Sequence, residues 1–157
     1  MSDATQTAES VRWAVSRLSS RLRAEQPGED RSLSRLAASV LANLRHSGPS
    51  TVSALAAIEG LRPQSLTRVL NALETEGRVA RRPDEHDRRA QRIAITDDGR
   101  EALRAHVRDG NRWLAGALGE TLTPAEREIV RVAAGLLLQV AEHGAANEGG
   151  QGAAPPL

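Results

Sequence analysis

Ser50 to Thr96, STVSALAAIEGLRPQSLTRVLNALETEGRVARRPDEHDRRAQRIAIT, is the stretch that decides the architecture. Ser50 or Thr51 can cap a short helix from Thr51 to about Glu59, and Gly60 is placed to end it. Pro63 can then occupy the first turn of a second helix, where its missing N–H costs nothing. Leu66, Val69, Leu70 and Leu73 form the buried stripe of that helix up to Gly77. Two helices joined by Glu59-Gly60-Leu61 make a helix-turn-helix. Val79 to Arg82 and Gln91 to Ile95 read as short strands, the second turning Ile93 and Ile95 inward, around the polar loop Pro83 to Ala90. A hairpin with a charged tip directly after a helix-turn-helix is a wing.

Working outward, Val11, Val15, Leu18 and Leu22 recur at helical spacing and the pattern stops before Gln26-Pro27-Gly28, which predicts a first helix over 9–25. Leu33, Leu36, Ala37, Val40, Leu41 and Leu44 repeat the period in a helix ending at Ser47-Gly48-Pro49. Beyond the wing, Thr96 can cap a long helix from Asp97 to about Gly119, with Leu103, His106, Val107, Gly110, Leu114, Ala117 and Leu118 along one side. Thr123-Pro124-Ala125-Glu126 combines a cap, a first-turn proline and a capping-box acid, opening a last helix through Ile129, Ala133, Leu136, Leu137 and Val140. The Gly, Ala and Pro of residues 144–157 suit a disordered tail. The expected fold is mainly α (α+β): a winged helix-turn-helix at 33–96 in a single domain, 1–157. Long N- and C-terminal helices, 9–25 and 97–143, form a dimerisation region. Their apolar stripes exceed what the small winged module can cover, so two copies can interlock about a twofold axis.

With 157 residues the chain can build one substantial core but hardly two. Phe and Tyr are absent and Trp occurs only at 13 and 113, a composition of packed helices and not of a large sheet. The absence of cysteine excludes disulfides, Cys-ligated zinc and thiol redox sensing. His46, His86, His106 and His143 show no paired ligand spacing, so neither a metal nor a cofactor is expected. No basic-plus-apolar leader opens the chain and the apolar run near Leu136 to Leu138 is too short to span a bilayer, which predicts a cytoplasmic protein without membrane contact. No nucleophile elbow, phosphate loop or paired-carboxylate constellation suggests an enzyme. Formal net charge is +1, and all 21 basic residues are Arg. From Arg62 to Arg92, however, eight arginines face five acids, and the acids prevail after Arg92. The positive field sits in the middle of the chain.

On a helical wheel Gln64, Arg68, Asn71 and Thr75 lie opposite the buried stripe of the Pro63 helix, with Ser65 and Thr67 flanking them. With Arg62, this face offers the groups that read base edges in the major groove of duplex DNA, Gln pairing with adenine and Arg with guanine. Ser50, Thr51 and Ser53 can bind phosphate, although helix capping also explains hydroxyls there. Gly48-Pro49-Ser50-Thr51-Val52-Ser53-Ala54-Leu55-Ala56, Arg62 to Arg68, Arg81-Arg82, Asp87-Arg88-Arg89 and Thr96-Asp97-Asp98-Gly99-Arg100 follow one another in an order that resembles the MarR family of transcription regulators. The resemblance implies an Asp-x-Arg element, matched by Asp87 and Arg89, in which the Arg enters the minor groove and the Asp helps hold the wing. Arg81 and Arg88 complete the expected DNA-facing set. It further implies a homodimeric, ligand-responsive regulator, expected to repress from a pseudo-palindromic operator. Its small aromatic or phenolic effectors would bind where the dimerisation helices meet the winged module. Trp13, Arg17 and Trp113 are the candidates for that contact, with tryptophan packing at a dimer interface as the other reading. A winged-helix module that binds protein without reading DNA is the alternative function.

Overall fold

The computed structural model describes residues 2–25 and 33–148. Six helices and one hairpin follow in order: α1 Asp3–Ala24, α2 Arg35–Ser47, α3 Val52–Ile58, α4 Pro63–Thr75, β1 Val79–Pro83, β2 Gln91–Ile95, α5 Asp97–Thr121 and α6 Pro124–Glu148. Side-chain oxygens of Ser34, Thr51 and Thr96 accept from the N–H three residues on and so start α2, α3 and α5. Thr123 and Glu126 form the expected capping box at α6: the Glu126 carboxylate accepts from the Thr123 N–H at 2.8 Å, and the Glu126 N–H donates to the Thr123 hydroxyl at 3.3 Å.

Helices α3 and α4 end alike. Gly60 (φ 64°) and Gly77 (φ 70°) occupy the left-handed region. The N–H of Leu61 bonds Ala56 O at 2.9 Å and that of Arg78 bonds Leu73 O at 2.8 Å, which closes each helix and reverses the chain. The hairpin that follows is antiparallel, with Val79 opposite Ile95 and Pro83 opposite Gln91. On the other edge of β2, Ser50 exchanges two backbone bonds with Ile93, at 3.0 and 2.8 Å. The wing is thereby joined to the loop that precedes α3.

The core lies within the winged module. Leu33, Val40, Leu41 and Leu44 meet Leu55, Leu66, Leu70 and Leu73, with Val79, Ile93 and Ile95 closing one side and Leu103 of α5 another. Each such side chain contributes about 1.5–3 kcal/mol when fully buried. The α5 face anticipated from Leu103 to Leu118 is the half-buried one, and Ala94 is buried beside Ile93 and Ile95.

Two boundaries differ from expectation. Helix α1 begins at Asp3, with Ser2 as its cap, and not at residue 9. Its first turns bury nothing and so carry no hydrophobic period to read. Helix α6 runs on to Glu148, past the expected end at 143, because Ala145, Ala146, Asn147 and Glu148 tolerate helical backbone once the helix is started. The remainder of the expected tail, 149–157, and the Gln26-Pro27-Gly28 stop lie outside the described residues.

Candidate nucleic-acid interface

Pro63 sets the first turn of α4, and Leu66, Leu70 and Leu73 fasten one side of the helix to the core. Gln64, Ser65, Thr67 and Arg68 are left exposed on the opposite side, with Arg62 at its N-cap. The Thr67 hydroxyl bonds back to Pro63 O at 3.0 Å and that of Thr75 to Asn71 O at 2.9 Å, so both turn inward to their own helix. The side chains open to a partner therefore concentrate in the N-terminal half of α4, the half that meets base edges when such a helix enters a groove.

The eight arginines between 62 and 92 divide into two groups. Arg78, Arg81 and Arg92 pair with acids: Arg78 with Glu76 at 2.8 Å, Arg81 with Glu74 at 2.9 Å and Arg92 with Asp84 at 2.7 Å. Arg62, Arg68, Arg82, Arg88 and Arg89 are exposed and form no ion pair among the described residues. These five carry the field available to a polyanion.

At the wing, Asp84 organises the turn. One carboxylate oxygen accepts from the N–H of His86 at 2.8 Å and the other from Arg92 Nε at 2.7 Å. Arg92 also donates to Pro49 O at 3.2 Å, tying the hairpin to the loop before α3. The Arg92 bond, with the His86 N–H next, lowers the Asp84 pKa from 3.8 to about 2. Asp87 accepts from the N–H of Arg89 at 2.9 Å, which fixes the backbone at the tip while the Arg88 and Arg89 guanidinium groups extend outward.

Comparison with known proteins is consistent with this geometry. Residues 33–90 match the MarR family. An HTH-type transcriptional regulator of Mycobacterium tuberculosis is 40% identical over 129 residues, covering 82% of this chain and 88% of its own length. The chain belongs to the MarR family. A Mycobacterium leprae HTH-type regulator is 39% identical over 127 residues, 81% of this chain and 87% of the relative. Among solved structures, a Pseudomonas aeruginosa transcriptional regulator protein superposes with TM-score 0.66 at 29% identity, covering 88% of this chain and 95% of that one. A MarR family protein of Bacillus stearothermophilus gives TM-score 0.68 at 23% identity over 88% and 96% of the two chains. The protein is thus a DNA-binding winged helix-turn-helix transcriptional regulator and not an enzyme.

Within this MarR-family frame the structure separates the anticipated contacts. Arg62, Gln64, Ser65, Arg68, Arg88 and Arg89 share the exposed surface of α4 and the wing, and Ser53 is exposed on α3. The Thr51 hydroxyl accepts from the Ala54 N–H at 3.1 Å and the Ser50 hydroxyl donates to Gly48 O at 3.2 Å, so both serve the local fold. Arg81 and Asn71 bond to each other. Asp84, Arg92 and Glu74 were not anticipated. Pro83-Asp84 is a turn signal, but the partner eight residues on depends on strand register.

The effector candidates fall into two ring–cation pairs. Arg17 stacks over Trp13 at 5.8 Å, and Trp113 receives Arg21, one turn of α1 beyond Arg17, at 5.2 Å. Neither tryptophan lines the cleft of about 240 Å³ between α1, α2 and α5, whose floor is Ala38, Ala42, Leu103 and Val107 with Arg23 and His106 beside them. Among the described residues no helix is long and apolar enough to cross a membrane, and no group of three potential metal ligands occurs.

Proposed function

We propose that this MarR-family protein is a homodimeric, ligand-responsive repressor that acts in the cytoplasm on a pseudo-palindromic operator. The observation that carries the reading is the state of the terminal helices: α1 buries no residue, and Ile129, Val132, Leu136 and Val140, which recur along one face of α6, are at least half exposed. Monomeric proteins rarely expose so continuous an apolar surface, and a second copy covers it by symmetry. Two copies present two α4 helices, which suits half-sites one helical turn, about 34 Å, apart. In each half-site Gln64, Ser65 and Arg68 read the major groove while Arg89 enters the minor groove, where narrow A·T tracts reward one guanidinium. A dimer seated on a promoter represses by occupancy alone.

The cleft between α1, α2 and α5 suits a small aromatic or phenolic effector. Its floor is apolar, and Arg23 can meet a carboxylate or phenolate. Because the cleft joins the terminal helices to the module that carries α4, occupancy can alter the separation of the two reading helices. A coupling of about 1–3 kcal/mol is the usual scale for such control.

Selection of bound duplexes from a random library, with sedimentation of the free protein, tests the reading. The expected result is a dimer and two inverted half-sites separated by one helical turn. A monomer, or a single unrepeated motif, would overturn it.

A further inference from the structure

We infer that Arg81 is a positioning residue: it fixes the angle between the wing and α4, so that the major- and minor-groove probes act at one spacing. The inference rests on the reading of α4 and the wing as the DNA-facing surface.

Arg81 lies on β1 opposite Ile93, and its side chain crosses to α4. Nε donates to Glu74 Oε2 at 2.9 Å and one terminal nitrogen donates to Asn71 Oδ1 at 3.0 Å. Asn71 and Glu74 are three residues apart, so the planar fork grips one turn of the helix at two points. Guanidinium has no acceptor, so the Asn71 amide must turn its oxygen toward Arg81 and leave its NH2 outward. Arg81 thus occupies one lone pair of the oxygen that bidentate recognition of adenine would use and fixes its orientation toward β1. Glu74 likewise offsets the charge that Arg81 would offer a phosphate, whereas the neighbouring Arg82 is exposed and forms no ion pair among the described residues. Arg81 stands two residues before Pro83, where the strand gives way to the tip, so a small rotation there is magnified at Arg88 and Arg89.

The experiment uses the full chain and a duplex selected from a random library, titrated with salt against a scrambled duplex. Arg81→Ala and Arg81→Lys are both expected to lower the preference for the selected duplex roughly tenfold. The dependence of log affinity on log salt should stay at the wild-type slope, because no phosphate contact is lost. Lysine should not rescue, since an ammonium cannot span Glu74 and Asn71 as the fork does. Glu74→Gln, which leaves Arg81 in place, should weaken selective binding in the same direction.

The inference is overturned if Arg81→Ala lowers the slope by about one unit, Arg81→Lys restores it and Glu74→Gln tightens binding, the pattern of a phosphate anchor released from a competing acid. Glu74→Gln decides the matter by its sign even if Arg81→Ala folds poorly. Arg68→Ala runs beside these variants. If it leaves selective binding intact, the reading of α4 itself fails, a different outcome from a shift in slope at Arg81.

Discussion

Asp84 holds the wing by accepting from a side chain on the opposite strand and from the backbone of the turn it begins. Both contacts favour the ionised carboxylate, chiefly the Arg92 bond, and bring its pKa down to about 2. Since the folded-state pKa lies below the unfolded one, the stabilisation is complete above the ordinary carboxylate range near 4 and is lost as pH falls through about 2. An NMR titration of the Asp84 carboxyl should accordingly give a midpoint well under 3.8; a midpoint at 3.8 would show that Arg92 does not hold it. Gly99 illustrates a second constraint at this scale. A Cβ there would lie 2.1 Å from Arg78 O and 2.9 Å from the Ile95 side chain, and the first contact is backbone that cannot step aside. Gly99→Ala should cost about 3 kcal/mol and lower Tm by roughly 6–12 °C. Unchanged melting would mean that the start of α5 shifts freely. Thr96-Asp97-Asp98-Gly99-Arg100 was legible as a cap and a family motif, but the reason for its glycine was not, because Arg78 approaches from 21 positions earlier.

The elements of the winged module could be read because each carries its own local signal: Thr51 and Thr96 as caps, Gly60 and Gly77 as stops, and Leu66, Leu70 and Leu73 at helical spacing. The exposed row on α4 follows from the same arithmetic, since fixing the buried stripe fixes its opposite. What could not be read is which polar groups already hold one another. Arg81 meets Asn71 only through the register of β1, and Glu59 receives Ser39 at 2.7 Å and Asn43 at 2.9 Å across a gap of 16 residues or more. Side chains left unpaired by this sorting are the ones to test. Arg68→Ala should cost about 2 kcal/mol of specific binding and relax selectivity at one position of each half-site. Arg89→Ala should instead erase a preference for narrow A·T minor groove flanking it. Quantitative binding to duplexes substituted one position at a time separates the two effects, and uniform weakening in both variants would reduce these residues to phosphate contacts.

For the whole molecule, the core that defines the module and the surface that would complete it are different sets of residues. Leu33 to Leu103 enclose the core, to which α6 contributes no buried side chain among the described residues, while Leu136 is 55% and Val140 71% exposed. A stripe that recurs at helical spacing announces that a face is to be covered, and a second copy as its cover is inferred from the excess of apolar stripe over what the winged module can bury. The separation permits a clean experiment. Leu136→Glu places a charge in the proposed subunit contact and leaves every core residue untouched, so the variant should retain its helical content and sediment as a monomer where the parent sediments as a dimer. Its affinity for an isolated half-site should be unchanged. On the full operator the loss should be at least about a hundredfold, because two half-sites no longer engage as one linked event. A Leu136→Glu protein that stays dimeric, or that binds the full operator like the parent, would move the subunit contact away from α6.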